Sequence, residues 1–274
     1  HTGEVLAMVN QPSHNPNADR SLYRPENYRN RAVTDIFEPG SSIKPFVVAA
    51  ALASGRYRTD TVIDATPFKV CLRTIRDHHD LGAIDLGGVL ARSSNVAMAK
   101  IALSLDKDLM HDTLKGLGFG KVTASGFPGE SAGLLTGTQN WRPINIATMA
   151  YGYGLSVTPL QLAQAYATIG AFGLQRPITF RRVDERPAGE RKLPAKVSRD
   201  LIGLLEKTVT PEGTGAKAAV RGYRVAGKTG TARIASNGGY SRKYVAFFAG
   251  VVPVDNPRFA MAVVINEPSQ GSYY

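Results

Sequence analysis

From residue 222 onward the chain changes period, and that change limits the folds open to it. The runs "RVAGKTGTARIA", "KYVAFFAGVVP" and "FAMAVVINEP" are rich in β-branched, aromatic and small apolar residues, and the short turns "SNGGYS" and "VDNPR" separate them. Three such runs joined by Asn/Gly/Pro turns predict an antiparallel meander. The stretch before it, about 56–220, has mostly helical spacing. In "TPLQLAQAYATIGAFG", Thr158 stands at the cap, Pro159 in the first turn, Gln161 at the capping-box position and Gly173 just past the end. "SRDLIGLLEKTV", residues 198–209, sets Leu201, Leu204 and Leu205 on one helix face. Residues 3–10 read as a further strand. The expectation is an α+β fold: an antiparallel sheet of the N-terminal strand plus three or more C-terminal ones, flanked by helices, with a mostly helical middle subdomain.

The first of the three strands carries two competing signatures. "GYRVAGKT" fits G-x-x-x-x-G-K-[ST], a loop that cradles phosphates where a strand ends and a helix begins. The residues after Lys228, "TGTARIASNGG", are too rich in Gly and Thr for a helix and are soon broken by a turn. The best apolar strand ends in Asn266, where a magnesium-binding Asp would be needed. Neither nucleotide nor nucleic acid is therefore expected as a ligand.

The second signature is K-T-G, and its companions are present. S-x-x-K appears as Ser41 and Lys44, S-x-N as Ser93 and Asn95, and K-T-G as Lys228, Thr229 and Gly230. They occur in the required order, with 52 residues from Ser41 to Ser93 and 135 from Ser93 to Lys228. The pattern places them at a helix start, at a break between helices and in a strand.

The residue types suit acyl transfer. A serine hydroxyl needs a base to become a nucleophile. Three residues apart on a helix, Ser41 and Lys44 share a face, so the amine is expected within reach of the hydroxyl. Burial and the charge of Lys228 would depress the pKa of Lys44 and free it to take a proton. Ser93 can relay a proton, and Asn95 can hold a substrate amide. Lys228 and Thr229 offer a cation and a hydroxyl to a carboxylate. Gly230 permits close backbone approach, the strand edge can bind an extended peptide, and the N–H groups of Ser41 and Thr231 are candidates for an oxyanion hole.

Other features restrict the reading. Lys and Arg outnumber Asp and Glu 33 to 22, a net charge of +11, but the positive residues are dispersed. With no nucleic-acid motif beside them they read as a solvated basic surface. The single cysteine, Cys71, allows no internal disulfide. "DHHD", 77–80, lacks metal-ligand spacing and reads as a polar loop. No apolar run reaches the roughly 18–20 residues of a membrane helix. Both ends look cut, with any leader or anchor expected outside the chain.

On "RNRAVTDIFEPGSSIKPF", "RSSNVAMAKIAL", "GFPGESAGLL", "ATMAYGYGLSVTPLQLAQAYA" and "GYRVAGKTGTAR", the sequence resembles the transpeptidase domain of class B, division-type (septal) penicillin-binding proteins of Gram-negative bacteria. The resemblance covers nearly all 274 residues. It implies the penicillin-binding transpeptidase/serine β-lactamase-like fold, with a five-stranded antiparallel sheet and a helical subdomain beside the cleft. It also implies D-alanyl-D-alanine transpeptidation of peptidoglycan stem peptides through an acyl-enzyme on Ser41, with β-lactams as inhibitors and no cofactor or metal. Membrane proteins of the division machinery are the implied partners, and the periplasmic face of the inner membrane the implied location. The family's membrane anchor, pedestal domain and C-terminal helix are not represented in the chain. Tyr153, in "YGYG", and Tyr273 match family positions at the cleft. Two alternatives share the chemistry: a serine β-lactamase, for which the expected E-x-x-L-N-like segment is not found between Asn95 and Lys228, and a non-catalytic penicillin sensor.

Overall fold

In a computed structural model, which describes residues 2–19, 21, 23–236 and 239–269, the meander forms as its sequence pattern requires. The elements preceding it are α1 (Arg31–Thr34), a 3-10 turn (Gly40–Ile43), α2 (Lys44–Ala53), β1 (Val62–Asp64), β2 (Phe68–Val70), β3 (Arg73–Ile75), β4 (Ala83–Asp85), α3 (Leu86–Ala91), α4 (Asn95–Ser104), α5 (Lys107–Gly116), α6 (Pro143–Met149), α7 (Pro159–Gly170), β5 (Leu174–Gln175), β6 (Glu190–Arg191) and α8 (Ala195–Glu206). The meander itself is β7 (Ala226–Ser236), β8 (Gly239–Val252) and β9 (Phe259–Asn266), antiparallel in the order β7-β8-β9. Lys228 pairs with Ala249 and Gly230 with Phe247 across β7 and β8. β7 is thus an edge strand among the described residues and runs straight through the K-T-G segment, where a helix would have to begin. That removes the phosphate-loop reading.

α2 is the centre of the molecule. Its sequence, "KPFVVAAALA", is buried from Lys44 to Leu52. Alanines let neighbouring helices approach closely, and Phe46 fills the space they leave, edge-on to both Phe119 and Tyr166 at 5.2 Å. α4, α5 and α8 pack around it, while α7 packs on β9 and β8 and α8 on β7. The capping box of α7 is present: Thr158 Oγ1 accepts from Gln161 N at 3.1 Å, and Gln161 Oε1 accepts from Thr158 N at 2.7 Å. Helices therefore cover one face of the sheet. On the other face the side chains of Phe259, Met261, Val263 and Ile265 are exposed. No helix among the described residues is long and apolar enough to cross a membrane.

Two sequence expectations differ from this architecture. Residues 3–10 do not join the sheet, which has three strands among the described residues instead of five. Glu4 makes only an isolated parallel bridge to Thr179, and Leu6 and Val9 are exposed. A β-rich segment without a paired edge and a buried face has little to hold it as a strand. The middle of the chain also holds three small two-stranded antiparallel sheets, β1–β4, β2–β3 and β5–β6. Strands of two or three residues are too short to display a period.

Candidate active site

The segment "EPGSSIK" makes a tight entry into α2. Pro39 precedes the 3-10 turn, and Gly40 adopts φ +46°, a conformation that favours glycine. A Cβ on Gly40 would lie 3.2 Å from Thr231 O and 3.3 Å from the Phe247 ring. The turn that carries Ser41 is thus laid directly on β7. Its other side meets the "YGYG" loop: Gly40 N donates to Gly152 O at 3.2 Å, and a Cβ on Gly152 would overlap Gly40. Ser41 sits half-buried in this turn, and Lys44 begins α2 fully buried.

Ser93 comes from the break between α3 and α4. It has φ +60°, and this left-handed turn separates the two helices. Ser94 caps α4 by accepting from Ala97 N at 2.9 Å, and Asn95 opens that helix. Asp77 braces the turn: its carboxylate accepts from Ser94 Oγ at 2.5 Å, Asn95 N at 2.5 Å and Val96 N at 3.2 Å. The carboxylate also suits the positive end of α4. In the sequence Asp77 reads only as part of a polar loop. An Asp distant along the chain from the motif it supports leaves no local signal.

These pieces converge. Lys44 Nζ donates to Ser93 O at 2.5 Å, Asn95 Oδ1 at 2.7 Å and Ser93 Oγ at 3.1 Å, and Ser93 Oγ bonds Ser41 Oγ at 3.0 Å. The hydrogen bonds of Lys44 run to Ser93 and Asn95, so Ser93 stands between the amine and the Ser41 hydroxyl. This differs from the expected direct approach of Lys44 to Ser41. It leaves a proton path of two short steps.

Lys228 approaches from β7, also fully buried. Its Nζ meets Thr214 Oγ1 at 3.3 Å and Thr229 O at 3.2 Å, and Thr229 Oγ1 donates to Thr214 Oγ1 at 2.9 Å. Neither Lys44 nor Lys228 belongs to an ion pair among the described residues. Burial, the Lys228 charge and, in the opposite sense, Asp77 act on Lys44; the net effect holds its pKa well below the usual lysine range. Burial alone lowers Lys228 to about 7. Lys44 is therefore disposed to give up its proton.

Gly230 has a different reason from the one its sequence context suggests. A Cβ there would lie 1.7 Å from Phe247 Cε2. The missing side chain makes room for the ring that supports the Ser41 turn. Thr231 lies next along the edge, facing the Gly40 turn. Tyr153 packs edge-on to Tyr240 at 5.7 Å and to Tyr151 at 5.9 Å. Tyr240, at the start of β8, donates to Glu38 Oε1 at 3.2 Å, and Gly154 N donates to the same oxygen at 2.8 Å. Burial and that acid push the Tyr240 hydroxyl up to about 12. Tyr240, Glu38 and Thr214 join this region without any sequence motif to announce them. Tyr273 lies outside the described residues.

A hydroxyl linked through a second hydroxyl to a buried amine, with a further buried cation close by, suits nucleophilic attack on an acyl group bearing an anion. Known proteins resemble this chain in sequence and fold. The family model for the penicillin binding protein transpeptidase domain matches residues 1–274. The chain is 46% identical to peptidoglycan D,D-transpeptidase FtsI of Escherichia coli (strain K12), over all of this chain and 47% of that protein. It is 42% identical to the probable peptidoglycan D,D-transpeptidase PenA of Neisseria gonorrhoeae, again over 47% of its length. The chain thus spans about half the length of these relatives. Among solved structures, the apo transpeptidase domain of Burkholderia pseudomallei penicillin-binding protein 3 superposes with a TM-score of 0.90 at 40% identity, covering 99% of this chain and 79% of that one. With its whole length matched by the family model, this chain belongs to the penicillin-binding protein transpeptidase domain family.

Proposed function

We propose that the chain is the catalytic domain of a peptidoglycan D-alanyl-D-alanine transpeptidase that cross-links stem peptides during cell division. The observation that carries this is the hydrogen-bonded chain Ser41–Ser93–Lys44 with Lys228 close by. Ser41 Oγ attacks the carbonyl between the two terminal D-Ala residues. Its proton passes to Ser93 Oγ while that hydroxyl's own proton passes to Lys44 Nζ. The oxyanion is met by the N–H groups of Ser41 and Thr231. Collapse breaks the C–N bond, and the leaving D-Ala amine takes the proton back from Lys44 through Ser93. An acceptor amine then attacks the Ser41 ester, the relay takes its proton, and collapse breaks the C–O bond to Ser41 while that proton returns to Ser41 Oγ through Ser93.

Binding uses the same elements. The side-chain oxygen of Asn95 accepts from Lys44, which leaves its amide N–H to hold a donor-peptide carbonyl. Lys228 and Thr229 receive the terminal carboxylate. The donor strand lies along the edge of β7 beside Gly230 and Thr231, and Tyr153 lines the cleft. We read residues 1–274 as one transpeptidase domain with a helical subdomain over about 56–220. The division role, membrane partners and a place on the periplasmic face of the inner membrane rest on kinship to FtsI and PenA.

Intact mass measured after incubation with a labelled penicillin tests the reading. The expected result is a stable adduct of one ligand, mapped to Ser41 and lost in Ser41→Ala. Rapid release of the label would identify a β-lactamase instead, and no adduct at all would remove acyl transfer from consideration.

A further inference from the structure

The loop after α8 carries a hydroxyl into the site that no motif includes. Thr214 Oγ1 accepts from Lys228 Nζ at 3.3 Å and from Thr229 Oγ1 at 2.9 Å. Both bonds arrive as donors, so the Thr214 proton remains, and no acceptor for it is present among the described residues. Three hydrogen-bearing groups therefore meet around one place: the Lys228 ammonium, the Thr229 hydroxyl and the Thr214 hydroxyl. Among the described residues no carboxylate pairs with Lys228 there.

The loop is held, not merely near. Thr208, fully buried, donates through its hydroxyl to Gly227 O, the residue before Lys228, and accepts at its carbonyl from Gly215 N at 2.8 Å. A Cβ on Gly213 would lie 2.1 Å from Thr208 O, so the chain doubles back too tightly there for any other residue. On the opposite side Thr214 N donates to Ala91 O at 3.1 Å. Ala91 ends α3, two residues before Ser93. The backbone of Thr214 is thus fixed to the wall that carries Ser93, while its side chain is fixed to the wall that carries Lys228 and Thr229.

Resting on the acyl-transfer reading, we infer that Thr214 is a specificity-determining residue: it completes a three-donor seat for the substrate carboxylate and sets the distance of that seat from the Ser93 relay. In this structure Thr229 gives its proton to Thr214. When a carboxylate arrives, Thr229 and Thr214 both turn their protons to it and Lys228 supplies the charge. A hydrogen bond to a carboxylate is stronger than one between two hydroxyls, so the exchange favours binding. A ligand whose carboxylate is masked as an ester offers weaker acceptors and no charge, and gains little from any of the three groups.

The test compares acylation of Ser41 by benzylpenicillin and by its methyl ester, tracked by intact mass over a range of ligand concentrations. In Thr214→Val the preference for the free acid over the ester should fall about tenfold or more, the range for losing a hydrogen bond to a charged group. The loss should appear as weaker saturation, with the limiting acylation rate little changed. Thr214→Ser should keep the preference, and Thr214→Ala serves should the valine variant not fold. A folded variant that retains the preference, or that loses both ligands equally, overturns the inference. A wild-type protein that takes up neither ligand overturns the acyl-transfer reading itself, and this inference with it.

Discussion

Replacing Lys228 by methionine should stabilise the protein in acid and progressively less as pH rises. Lys228 is fully buried with neutral oxygens as partners, and its pKa is lowered from 10.5 to about 7. A lysine whose folded pKa is depressed loses its proton earlier in the native state than in the unfolded chain. Native stability therefore climbs between about pH 7 and 10.5, and the full cost of the buried charge is felt below pH 7. At about 1.4 kcal/mol per pH unit, the gap from 10.5 to 7 amounts to about 5 kcal/mol. Methionine removes that cost at similar volume, but strips a donor from Thr214 and Thr229, a loss of about 2 kcal/mol. The variant should be more stable by about 3 kcal/mol at pH 6, roughly 6–12 °C in Tm. The advantage should vanish near pH 9, where the remaining charge cost has dropped to about 2 kcal/mol. Relief of Lys44 from its charged neighbour acts in the same direction. Thermal unfolding of both proteins at pH 6, 7.5 and 9 measures this. A variant less stable at pH 6, or a difference that does not change with pH, would refute the reasoning.

Two further substitutions probe the supports of the site. Asp77→Asn removes the carboxylate that receives Ser94 Oγ, Asn95 N and Val96 N, and with it the one influence that raises the pKa of Lys44. Acylation should fall at least about tenfold, in line with losing charged hydrogen bonds. The limb of its pH profile that reports deprotonation of Lys44 should move to lower pH, which stopped-flow acylation across pH would detect. Gly230→Ala should cost about 1–3 kcal/mol through overlap with Phe247, read by urea unfolding. Phe247→Leu in the same chain should recover part of it.

What could be read from sequence was the chemistry that needs particular residue types at fixed places. Ser41, Lys44, Ser93 and Asn95 form one hydrogen-bonded cluster carried by two short helical turns, and Lys228 and Thr229 on a strand edge form another with Thr214. What could not be read was the choice of partner over long separations. "EVLAMV" has a strand's composition, yet composition does not select the edge a strand will join, and Leu6 and Val9 stand exposed. Asp77 and Thr214 matter only through contacts with segments far along the chain, and neither type nor spacing marks them out. Gly230 shows the same limit inside a motif. Its place in K-T-G suggests room for a substrate, but the space of its missing Cβ is occupied by Phe247, whose ring also lies under Gly40. One aromatic side chain thus sets the height of the Ser41 turn above β7, and both glycines are needed for it to fit. Position along the motif then serves packing first, and the contact of Ser41 with Ser93, 3.0 Å between their Oγ atoms, is made from the turn that this packing holds.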